Sequence, residues 1–119
     1  MADEAPHELA SDPQDLERLL VPRQRTGDVD GMVALYEPDA VIDCGGGRLV
    51  RGSLAIRAYF ADLVAQGRKF DLGEQRPAVI SGDLALTSTR FPDGSISSEI
   101  ARQQSDGSWL WVIDRFAVV

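Results

Sequence analysis

Apolar residues along this chain recur first at helical and then at alternating spacing. Leu16, Leu19 and Leu20 form a stripe three and four residues apart, which predicts a helix with Asp12 as N-cap and Pro13 at its first position. Pro22 is expected to kink or break it, and Gly27 to close it. Asp28 then caps a second predicted helix, whose Val29, Met32, Val33 and Tyr36 share one face until Pro38 and Asp39 stop it. Residues 40–44 read as a strand, with Ala40, Ile42 and Cys44 on one side and Val41 and Asp43 on the other. Residues 49–51 are its short partner. Ser53 caps a third predicted helix that buries Ile56, Phe60, Leu63 and Val64 and ends at Gly67.

Beyond Gly67 the pattern is that of strands. Residues 70–80 form a long, irregular one in which Gly73 and Pro77 signal a bulge or a sheet edge. Residues 84–91, 95–104 and 109–118 follow as strands, separated by the turns Pro92-Asp93-Gly94 and Asp106-Gly107. Helices first and an antiparallel meander afterwards predict an α+β fold. A sheet of long, bulged strands must bury one face against the helices. It would curl into a cone-shaped barrel around them, open at one end, and such a mouth is a natural ligand site.

The last hairpin carries the candidate chemistry. If Asp106-Gly107 is a two-residue turn, Gln103 faces Leu110, Ala101 faces Val112, and Glu99 faces Asp114. Directly opposed side chains lie about 5 Å apart at Cβ, where like charges repel. In a poorly hydrated pocket one of the two would keep its proton near neutral pH, and the pair would serve as acid and base. The plainer reading is a solvated sheet face. Strict alternation puts Ile100, Arg102, Trp109, Trp111, Ile113 and Arg115 on the other side. Either that side is the core and the carboxylates meet water, or it is an outer apolar patch that a second subunit covers. Taken alone, the residues favour the first. Cys44, Tyr36 and Tyr59 are expected chiefly as packing residues, and Asp43 as solvated or paired with an arginine.

Composition narrows the field. The chain has 119 residues, 44% of them hydrophobic, enough for one domain with a real core. No apolar run approaches the ~20 residues of a membrane span. A net charge of −7 with scattered arginines excludes a basic nucleic-acid footprint. Cys44 is the only cysteine and His7 the only histidine, so no disulfide, zinc-thiolate cluster or histidine-based nucleophile apparatus can be built within one chain. Residues 1–11 read as an acidic, flexible leader without signal-peptide features, residues 12–119 as a single domain, and the cytoplasm as the default location.

The stretches GDVDGMVALYEPDAVI, RLVRGSLAIRAYFADL and ARQQSDGSWLWVID carry a resemblance. Together they are similar to the nuclear transport factor 2-like superfamily, in its bacterial SnoaL-like and ketosteroid-isomerase-like branch. The resemblance covers about residues 16–119 and implies a cystatin-like cone, with a curved mixed sheet around helices. It also implies a homodimer through the outer sheet face, here Trp109, Trp111 and Ile113. The branch's catalytic tyrosine on the first helix falls on Leu20, and its first-strand aspartate on Cys44. Its proton-donating aspartate falls on Glu99. The water-activating aspartate of the limonene-epoxide-hydrolase branch falls on Asp114, while its Arg-x-Asp pair falls near Thr89 and Phe91. The polyketide cyclases' histidine has no counterpart.

These readings converge on a small-molecule pocket with Asp114 as base, Glu99 as proton donor or orienting partner, and Ile42, Cys44, Tyr59 and Phe116 as wall. No cofactor and no metal are expected. An isomerase, cyclase, dehydratase or hydrolase of an apolar or polycyclic substrate would fit. A non-catalytic binding or dimerisation module of the same fold is the alternative.

Overall fold

The computed structural model describes residues 7–118 and, of these, every side chain but those of the last two. Its elements run α1 (Asp15–Arg25), α2 (Val29–Val33), β1 (Tyr36–Gly45), β2 (Arg48–Arg51), α3 (Ser53–Ala65), β3 (Glu74–Gln75), β4 (Val79–Ser81), β5 (Leu84–Arg90), β6 (Ile96–Gln103) and β7 (Trp109–Val118). The strands form one curved, open sheet in the order β2-β1-β7-β6-β5-β3, with β4 also on β5. Only β1 and β7 pair in parallel, so the α+β fold has a mixed sheet. Its concave face packs on the helices through Leu16, Leu20, Met32, Ile56, Phe60, Ala85, Ala101 and Trp111. Each large apolar side chain so covered contributes about 1.5–3 kcal/mol before entropy is counted.

Element ends differ from the sequence pattern for identifiable reasons. Asp12 and Pro13 form a turn ahead of α1, closed by the Asp15 N–H on the Asp12 carbonyl, and the helix starts later without a side-chain cap. Pro22 lies inside α1 and does not end it. The carbonyl it leaves unbonded belongs to exposed Arg18, where water can replace the missing donor. Tyr36 keeps helical phase with Val29 yet starts β1, because the Trp111 N–H bonds the Leu35 carbonyl and draws the chain into the sheet. Pro38 falls in the register gap between the Tyr36 and Val41 pairings, where no ladder bond is lost. Ser53 is the first residue of α3, and Gly52 is its cap. The long strand expected over residues 70–80 is two short edge pieces, β3 and β4, separated around Pro77. A Cβ on Gly73 would sit 2.5 Å from the Arg90 carbonyl oxygen, so only glycine lets this edge approach β5.

The final hairpin departs most. Its loop has three residues, Ser105 to Gly107, with the Gln104 N–H on the Ser108 carbonyl and Gly107 at φ 89°. Gln103 therefore faces Trp109 and Ala101 faces Trp111, one residue off the two-residue register. A bulge at Val112 then restores it, and Glu99 faces Asp114 as expected. The bulge also moves β7 through half a pleat. Trp109 and Trp111 consequently lie inside, 5% and 1% exposed, on the same face as the carboxyls, while Ile113 lies outside. The two tryptophans are thus core, as the residues alone favoured, and not the outer patch that the resemblance implied, while the carboxyls are buried with them instead of meeting water. Of the expected leader, His7 to Ser11 is docked: Ala10 is buried, its carbonyl accepts from the Trp109 N–H, and Arg18 pairs with Glu8. Residues 1–6 lie outside the described residues. Among the described residues no helix is long and apolar enough to cross a membrane.

A buried Trp111 has a measurable consequence. Trp111→Ala is expected to cost about 3–5 kcal/mol in denaturant unfolding, the toll of a large core cavity. A tryptophan on the outer face would cost well under about 1 kcal/mol.

Candidate active site

The concave face holds a cavity of about 370 Å³. Each inner element delivers side chains to it by its own periodicity. On α1, Glu17, Leu20 and Gln24 share one face at i, i+3 and i+7, and the first two reach the cavity. Gln24 holds the mouth: its amide donates to the Arg68 carbonyl at 2.6 Å and accepts from the Phe70 N–H at 2.7 Å. From α3 come Tyr59 and Leu63, from β1 Cys44, from β6 Ser97 and Glu99, and from β7 Asp114 and Phe116. Arg68, Phe70, Asp71 and Phe91 complete the wall. The rings of Tyr59 and Phe70 lie 5.7 and 6.0 Å from that of Phe116, making a continuous aromatic side.

Opposite that side stands a group of acids. Glu99 and Asp114 are 4% and 3% exposed, and Glu17 joins them at 9%. Glu99 accepts from the Thr87 hydroxyl at 2.7 Å, a cross-strand bond between β5 and β6. Asp114 accepts on Oδ2 from the Tyr36 hydroxyl at 2.5 Å. None of the described ion pairs includes any of the three carboxyls. They are not disposed as metal ligands either: among the described residues no set of three or more candidate donors converges.

Burial without a cation makes these carboxyls weak acids. Desolvation, and then the neighbouring Glu99 charge, hold the Asp114 carboxyl well above the usual range, and the Tyr36 bond only partly opposes them. Burial pushes Glu17 up to about 8, with Glu99 adding to it. Glu99 is also raised by burial, and its hydroxyl neighbours pull it back down. Ser97 is one of those neighbours but lies outside hydrogen-bond geometry, so its Oγ is buried without a partner. Buried side by side, Glu99 and Asp114 do not readily ionise together. Tyr36, wholly enclosed and facing these acids, is driven far up as an acid and keeps its proton. Burial raises Cys44 as well, so it is no reactive thiolate.

Measured against the sequence, Asp114, Glu99, Cys44, Tyr59 and Phe116 come together around one cavity, and Leu20 is there too. Ile42 does not line it. Although it pairs with Asp114 across β1 and β7, Ile42 is fully covered by the helices and belongs to the core. Asp43 lies outside, paired with Arg115 at 3.0 Å. Glu17 escaped the sequence reading, although a carboxyl three residues before Leu20, in phase with the apolar stripe, was the available signal. The Tyr36–Asp114 and Thr87–Glu99 bonds join residues far apart in the chain and left no local trace.

The raised carboxyls predict a pH dependence. Folded Glu17 keeps a proton that the unfolded chain releases above about 4.5, so stability falls as pH rises from there to about 8 and then levels off. Glu99 and Asp114 act in the same sense. Asp28 and Asp43, lowered chiefly by backbone N–H bonds and by His7 and Arg115, lose their contribution only as pH falls through the ordinary carboxylate range. Thermal melts should therefore peak in mild acid. Glu17→Gln should flatten the decline towards pH 8 by roughly a few kcal/mol.

Comparison with known proteins agrees with this architecture. Residues 17–119 match the family model described as the SnoaL-like domain. No curated protein matches the chain. Among solved structures, an NTF2-like protein with a cystatin-like fold from Novosphingobium aromaticivorans superposes with a TM-score of 0.66 at 19% identity, over 85% of this chain and 75% of that one. A ketosteroid isomerase-like protein from Erwinia carotovora atroseptica gives 0.69 at 17% identity, over 86% and 89%. A putative calcium/calmodulin-dependent protein kinase type II association domain from Thiobacillus denitrificans gives 0.73 at 14% identity, over 93% and 96%. At such identities the likeness is one of fold. The family match spans nearly the whole chain, and on it the protein belongs to the SnoaL-like domain family, with the fold of NTF2-like proteins.

Proposed function

We propose that this protein is a small acid–base enzyme acting on a predominantly apolar molecule held in the cone, with chemistry that needs no cofactor. The observation that carries the reading is the opposition of Glu99 and Asp114, buried together without a cation. We assign their roles in the reverse of the division expected from sequence. Glu99, relieved by the Thr87 hydroxyl, is the carboxylate and general base. Asp114 stays protonated. With Tyr36 on Oδ2, its proton sits on Oδ1 and is free to be donated to an oxygen that gains charge. Glu99 would take a proton from a C–H beside a carbonyl, or from an attacking water or hydroxyl, and the electron pair left behind would move towards the oxygen that Asp114 holds. Returning the proton elsewhere gives isomerisation, losing a hydroxyl gives dehydration, and attack within the substrate gives cyclisation. A location in the cytoplasm, where Cys44 would remain a thiol, goes with this reading.

Leu20 and Cys44 favour a second reading. They put an aliphatic chain and an inert thiol on the wall where the resemblance would have a tyrosine and an aspartate. A pocket that binds without turnover would keep such a wall. A substrate screen over ketones, epoxides and polyketide-like compounds separates the two. For any compound turned over, Glu99→Gln is expected to lower kcat by about 10²–10⁴-fold. An unchanged kcat would remove Glu99 from the mechanism.

We also propose a homodimer through the convex face, on residues other than the tryptophans. Val79, Leu86, Ile100, Ile113 and Val41 stand side by side across five strands. The Arg102–Glu37 and Arg115–Asp43 pairs flank this row. An apolar centre with a rim of both signs suits a self-complementary two-fold contact. Ile113→Glu should convert the dimer to a monomer by light scattering. A wild-type chain of monomeric mass would end the proposal.

A further inference from the structure

The mechanism above uses two carboxyls and leaves the third without a task. Glu17 is 9% exposed, lines the cavity, and none of the described side-chain hydrogen bonds or ion pairs involves it. Ser97 lines the same wall, 6% exposed, and its Oγ has no partner. Carboxyls gathered in an apolar cone cost stability unless something compensates their charge. Among the described residues no side-chain cation compensates them: Arg68 lines the cavity but is exposed and eases none of the three acids. Nor do the three acids converge on a metal site among the described residues.

We propose that the cavity recognises an organic cation, a protonated amine carried on an apolar body, with the ammonium at Glu17, beside the Glu99–Asp114 pair, and the body against Tyr59, Phe70, Phe91 and Phe116. This names the ligand class of the same cavity and rests on its being a small-molecule site. Aromatic faces attract cations as well as covering hydrocarbon, and the outer side of Tyr59 already carries the Arg48 guanidinium 5.3 Å from its centroid. The unsatisfied Ser97 hydroxyl accepts an N–H. At about 370 Å³ the space suits a molecule of roughly ten to fifteen heavy atoms.

Binding should also move a proton. The groups facing Glu17 are Glu99 on β6, Asp114 on β7, and Tyr36 and Cys44 on β1. Tyr59 on α3 and Arg68 and Asp71 at the mouth complete the set. Of these, Glu17 changes charge near pH 8, so a cation that ionises it expels its proton, and affinity rises with pH below that point.

The test is a pair of near-isosteric probes, 3-phenylpropylamine and 3-phenylpropan-1-ol, titrated into the wild-type protein and Glu17→Gln and followed by amide NMR shifts. The amine is expected to bind at least about tenfold tighter at pH 8 than at pH 6, and Glu17→Gln to weaken it by about tenfold. The alcohol should change by less than about twofold in either comparison, which also shows the variant to be folded. Equal affinity of the two probes, or amine binding indifferent to Glu17, overturns the cation and leaves the small-molecule reading standing. Failure of both probes to shift any cavity-lining residue overturns both.

Discussion

Strand β7 has to satisfy two neighbours at once, and most of the molecule depends on how it does so. It pairs in parallel with β1 and antiparallel with β6, and both ladders change register along its length. The change against β6 is the bulge at Val112. Before it, Trp109 and Trp111 point into the helices; after it, Asp114 and Phe116 point the same way. A regular strand would have to send one of these pairs outside. The bulge therefore couples a hydrophobic anchor at one end of the cone to an acid group at the other. It also gives the sheet the local twist that keeps it curved and open.

The acids are held by the same packing that disfavours their charge. Glu17, Glu99 and Asp114 come from α1, β6 and β7, so no single element can move to relieve their crowding. What the fold supplies is hydroxyls, Thr87 to Glu99 and Tyr36 to Asp114, one to each carboxyl. A hydroxyl grades acidity without removing the need for a proton or a cation, whereas an arginine would have locked both carboxyls as anions. That difference distinguishes a working acid–base pair from a buried salt bridge.

Within its family the chain combines a kept architecture with an altered wall. Leu20 and Cys44 line the cavity, and their chemistry differs from what the resemblance would put there. The cavity's acids instead stand on α1 at Glu17, one helical turn from Leu20, and on β6 and β7. Relatives of similar shape at under 20% identity show how little of the sequence the cone itself requires.

Local chemistry was enough to establish the elements: the stripe of Ile56, Phe60 and Leu63, the alternation of Ala40, Ile42 and Cys44, and Gly107 in the last turn all act within a few residues. The opposition of Glu99 and Asp114 was also legible, although only because a three-residue loop and a one-residue bulge offset each other. Which way the tryptophans point was not legible, because a bulge is decided by competition between two partner strands and leaves no mark on the alternation itself. The third carboxyl stood in plain phase on α1, but its meaning depended on β6 and β7 arriving beside it. The sequence by itself determined the three helices and the main strands, since these follow from periodicity and turn residues, but not where α2 gives way to β1 or that residues 70–80 divide into two edge strands. Only the tertiary structure decided which side of β7 is inside and which acids are buried together, since both depend on contacts between residues as far apart as Tyr36 and Asp114.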